Sequence, residues 1–194
     1  MKHLAAAALA ALALSCAAPA LALQAAPQAT SQADSPALAA ILADYETYLR
    51  GADPVTAALE GDEAARARLP DASRATELDR GRYLQGLATR LAALDPAALS
   101  ARDRLNHAFL SWLIDRAVTE IGFDGGRLAF NSEGGPGQSA GYLASITRIT
   151  DRDDAEAWLT RLAGLDKLYA DQLANARRGL ETGMVQPKSV VRTR

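Results

Sequence analysis

From Ser35 onward, apolar side chains recur every three or four positions, the period of an α-helix. Leu38, Ile41, Leu42, Tyr45 and Leu49 share one face. Ser35 is a good cap ahead of them and Pro36 suits a first turn, so the pattern predicts a helix to about Arg50. In GADPVTAALEGD, Asp53 as cap, Pro54 at the first position and Gly61 as stop predict a second, short helix. ARLPDAS then turns the chain. Leu84, Leu87, Leu91 and Leu94, with Leu78 upstream, alternate by three and four while Arg74, Asp79, Arg80 and Arg90 stay polar. That predicts a third, amphipathic helix from Ser73 to Leu94.

Asp95 and Pro96 break the pattern, which restarts with Ser100 as cap and Asp103 three residues on. Leu105, Phe109, Leu110, Trp112, Leu113 and Ile114 form an apolar arc too wide for a surface helix, so this helix is expected at the centre of the core. Half of the chain's 14 glycines then fall between Gly122 and Gly141. This predicts a loop region, with RLAF as a short strand in a small hairpin around DGG.

The longest helix is expected from Thr150 or Asp151 to about Thr182. Trp158, Leu162, Leu165, Tyr169, Leu173, Ala176 and Leu180 make its stripe; Asp151, Asp153 and Asp154 sit at its positive end and Arg177 and Arg178 near its negative end. Gly183 and Pro187 supply the stop. No fixed-period repeat is present, which argues against a solenoid. The fold class expected is mostly α: an irregular multi-helix array with a Gly-rich loop and at most a short hairpin.

Ahead of this lies MKHLAAAALAALALSCAAPALALQ, a Lys followed by a short apolar run and small residues. It reads as a secretory signal peptide over residues 1–22, cut after Ala22, with a lipoprotein signal cut before Cys16 as the alternative. Residues 23–34 read as a flexible tether, and 35–194 as the helical region. The expected location is periplasmic or secreted. No transmembrane helix is expected, because the apolar run is too short to span a bilayer. Cys16 is the only cysteine, so disulfides and Cys-based metal sites are ruled out within one chain. A formal charge of −2 offers no basic face for nucleic acid.

The chemical signals are sparse. GQSAG at 137–141 fits G-x-S-x-G, the turn that presents a nucleophilic serine, here Ser139. Such an elbow needs a strand before it, a helix after it, and acid and His partners following in order. GGPG makes a poor strand, and the histidines, His3 and His107, both precede Ser139. The pentapeptide is therefore read as loop, with a spatial triad using His107 as the serine-esterase alternative. GGPGQSAG also lacks the spacing and Lys of a phosphate loop. His107 reads as a packed or partly exposed residue with a local hydrogen-bond partner, since zinc needs at least three protein ligands. DRDDAE at 151–156 resembles the opening of a calcium loop, but Glu156 stands where Gly is required. Capping explains those acids better. No catalytic, cofactor-binding or metal-ligating residue is assigned.

DPVTAALEGD, RLPDAS, LAALDPAALSARDRLNHAFLSWLI and DDAEAWLTRLAGLDKLYADQLANARRGLETGMVQP, in that order, resemble the N-terminal part of a bacterial family catalogued as domain of unknown function 885. The resemblance implies an exported, mostly helical protein akin to zinc metallopeptidases, with a metal-binding His-Glu motif nearer the C-terminus of a longer chain. Metal-assisted hydrolysis is the chemistry implied. This sequence contains no His-Glu pair, so no catalytic position carries over, and zinc is implied only for full-length relatives. The expectation is a truncated scaffold part of a metallopeptidase-like hydrolase, inactive alone. It would meet a peptide substrate only when the missing C-terminal region is present, and would self-associate through uncovered apolar helix faces. The alternative is a non-enzymatic helical binding module.

Overall fold

The computed structural model describes residues 34–130 and 136–192, with residues 136–139 and 191–192 by their backbone only. The signal segment, Ala22, Cys16, the tether up to residue 33 and residues 131–135 lie outside the described part. Eight α-helices are described: α1 Pro36–Ala52, α2 Pro54–Leu59, α3 Arg74–Ala92, α4 Ala101–Phe123, α5 Pro136–Ile146, α6 Arg152–Ala163, α7 Leu165–Thr182 and α8 Lys188–Arg192. Short 3-10 turns occupy Glu63–Ala65, Pro96–Ala98 and Gly125–Leu128. The mostly α, irregular array expected from the sequence is what forms. No described helix is long and apolar enough to cross a membrane.

Helix starts follow the capping residues. Ser35 accepts from Leu38 N, Asp53 from Val55 N and Thr56 N, Ser73 from Thr76 N, Ser100 from Asp103 N and Asp151 from Asp154 N. Each satisfies a backbone donor that the first turn leaves free, a contribution of about 1 kcal/mol. Asp103 does more: its Oδ2 accepts from Ser35 N at 2.7 Å, fastening the start of α1 to the start of α4.

The main core lies between α1, α3 and α4. Leu38, Ile41 and Tyr45 meet Leu84, Leu87 and Leu91, together with Leu99, Leu110 and Ile114. Complete burial of each such Leu or Ile is worth about 1.5–3 kcal/mol. α3 and α4 run antiparallel: His107 Nε2 lies 3.0 Å from Leu91 O, and Gly81 faces Ile121 at the other end. Ala57, Ala65, Leu143 and Leu168 are buried outside this cluster.

Three expectations are corrected. α4 buries only part of its arc, since Leu105, Phe109 and Trp112 are exposed; Phe109 and Trp112 stack on each other at 5.9 Å with Arg116 over the indole. The neighbours of α4 reach one side of it, so the arc's width over-reported burial. Second, the stretch from Thr150 to Thr182 is two helices. Gly164 separates α6 from α7, where a side chain would meet Arg161 O at 3.3 Å and Leu69 at 3.4 Å. α4, not this segment, is the longest described helix. Third, the DGG region forms a 3-10 turn and no strand appears among the described residues.

Candidate functional site

A cavity of about 380 Å³ opens between α2, α6 and the segment that joins α5 to α6. Its apolar wall comes from Val55, Ala58 and Leu59 of α2 with Ile146, Ala157 and Trp158; its polar side holds Arg66, Arg148, Asp154 and Arg161. Asp154 is fully engaged. Its Oδ1 accepts from Arg66 Nη1 at 2.5 Å, and its Oδ2 accepts from Thr150 Oγ1 at 2.7 Å and Thr150 N at 3.0 Å. These bonds, those from Thr150 foremost, hold the carboxyl down at about 2 against an ordinary 3.8.

Arg161 has no such partner. It is 5% exposed, donates through Nη2 to Ala65 O at 3.1 Å, and finds no acceptor for Nε among the described residues. Burial pushes its pKa down. No carboxylate pairs with it among the described residues, and the same holds for Arg148. Asp154, the cavity's one acid, is spent on Arg66.

A second charged cluster sits where α4 ends. Asp124 is buried and adopts the left-handed conformation (φ 57°), alone in this among the described non-glycine residues. Arg178 of α7 grips its carboxylate with two bonds, while Arg127 and Arg74 approach at 3.2 and 3.4 Å. Asn175 donates to Ala72 O at 2.8 Å and accepts from Arg178 Nη1 at 2.8 Å. Every charge in this group has a partner, so it binds α3, α4 and α7 to one another.

Of the residues singled out for chemistry in the sequence, Asp154 of DRDDAE lines the cavity, while His107 and Ser139 are not among the residues of either cluster. Ser139 is the fourth residue of α5, and all of GQSAG is helical, which corrects the expectation of loop and places Ser139 away from a strand-to-helix elbow. Pro136 can open a helix, and the apolar YLASI sequence carries it onward past the glycines. His107 caps the carbonyl of Leu91, as a packed histidine would. The acids of DRDDAE act as cap and ion-pair residues. No three His, Cys, Asp or Glu residues converge to hold a metal among the described residues, so those residues do not fit a zinc site. Arg161 went unremarked in the sequence, though it sits beside Leu162 on the stripe between Trp158 and Leu165. A guanidinium on a buried stripe is the signal that could have found it.

The family model described as "Bacterial protein of unknown function (DUF885)" matches residues 54–194, from the first residue of α2 to the last of the chain. The chain belongs to this family. No curated protein and no solved structure matches it.

Proposed function

We propose that the chain is a helical scaffold part of an exported, metallopeptidase-like hydrolase, and that the zinc-binding motif is not supplied by these residues. The observation that carries this reading is the imidazole inventory. Beyond the proposed signal segment only His107 remains, and it is engaged with Leu91 O. A hydrolytic zinc ion needs three protein ligands and an open position; one histidine leaves at least two of them to carboxylates, and no three His, Cys, Asp or Glu residues converge among the described residues. A peptide would be cut only with the motif-bearing region present. Cleavage near Ala22 would place the chain in the periplasm, or lipidation of Cys16 would anchor it. Leu159, Leu173 and Leu180, exposed on α6 and α7, would then be covered by that region or by a second copy.

The test is peptide hydrolysis by the purified chain with and without a chelator. No cleavage above buffer is expected; chelator-sensitive cleavage would overturn the reading. The Arg161 cavity favours a second reading, a non-enzymatic binding module, because it is a concave, mixed polar and apolar site in the size range of small-molecule pockets.

A further inference from the structure

Arg161 poses an electrostatic problem that the protein does not solve by itself. A guanidinium removed from water costs several kcal/mol unless charge and hydrogen bonds compensate. Here one neutral carbonyl, Ala65 O, accepts from it, and Nε has no acceptor among the described residues. A buried polar group left unsatisfied in a native fold calls for a water, an ion or a ligand as its explanation. Its position on the wall of a cavity narrows the choice. Arg148 lines the same space without a partner among the described residues, so two cations face it uncompensated while Asp154 neutralises Arg66.

The rest of the wall is suited to hydrocarbon. Val55, Ala58, Leu59, Ile146 and Ala157 line it, and so does Trp158, three residues before Arg161. Helix spacing puts Trp158 and Arg161 on one side of α6. We propose that this cavity is a binding site for a small amphipathic anion, whose head is received by Arg161 and Arg148 and whose apolar body lies against Trp158 and α2. A planar carboxylate matches the guanidinium fork with two parallel bonds, and a phosphate monoester presents the same pair of oxygens. The site is independent of the hydrolase scaffold reading, since it requires neither zinc nor a further region.

The experiment titrates the purified chain with hexanoate, hexyl phosphate and hexanol, read by calorimetry and by the melting temperature. Both anions are expected to bind saturably with one site per chain and to raise the melting temperature, whereas hexanol should do neither. The tighter of the two anions identifies the head group. Arg148→Gln changes an exposed side chain and should leave the fold intact while weakening either anion several-fold. Arg161→Lys keeps the charge, loses the fork, and should weaken binding by tenfold or more. Hexanol binding as tightly as hexanoate, no saturable binding of either anion, or full affinity in Arg148→Gln would each overturn the proposal. Should Arg161→Lys fail to fold, Arg148→Gln decides.

Discussion

Asp124 Oδ1 and Oδ2 accept from Arg178 Nη2 and Nε at 2.7 and 3.1 Å, a two-pronged ion pair that spans 54 positions of sequence. It joins the end of α4 to α7, and Arg74 brings α3 to the same carboxylate. Asp124 is also held at φ 57°, a conformation that Asp and Asn tolerate better than other side chains. Asp124→Asn therefore removes the charge while keeping the backbone preference. With three guanidiniums left facing a neutral amide, the loss should be about 2–4 kcal/mol, measured by urea unfolding. A loss below about 0.5 kcal/mol, the range of an exposed pair, would show that the cluster does not hold the array together.

Acid should weaken the fold through the same kind of group. Asp154 titrates at about 2 when folded and near 3.8 when free, because Thr150 and then Arg66 bond its charged form. The unfolded chain takes up the proton first, so the contribution is complete above about pH 4 and is lost as pH falls toward 2. Asp124 is displaced in the same direction, by Arg178 first. Urea midpoints of the wild type should fall over that interval, and Asp154→Asn should flatten the fall.

Two glycines should respond in opposite directions. At Gly179 in α7 a Cβ would stand 2.7 Å from Met184 O and 2.8 Å from Arg127 O, both backbone atoms. Gly179→Ala should cost about 1–3 kcal/mol, the penalty of overpacking, despite alanine's preference for helix. Gly86 in α3 has nothing within 4 Å of that position. Gly86→Ala should stabilise by about 0.5–1 kcal/mol. Thermal unfolding of the pair gives both signs in one series.

Local chemistry was legible wherever capping residues and periodicity agreed. Ser35, Asp53, Ser100 and Asp151 all cap as their sequence context indicates, and Gly183 ends α7 in the left-handed conformation. Long-range facts were not legible. The exposure of Leu105, Phe109 and Trp112 depends on which neighbours reach α4, information that periodicity lacks. α5 was obscured because glycine lowers helix propensity, yet Pro136 and the apolar run after it outweigh that local preference. Asp124 and Arg178 are unremarkable as letters, since their pairing exists only once α4 and α7 meet. Arg161 was the nearest miss: its stripe was recognised, and its charge within that stripe was not weighed.

We propose that these residues do not assemble a hydrolytic metal centre. Zinc binding to the purified chain at neutral pH, measured by equilibrium dialysis with metal analysis, tests it most directly. No stoichiometric retention of zinc is expected, and no difference between the wild type and His107→Ala. One tightly held zinc per chain, lost in His107→Ala, would contradict it.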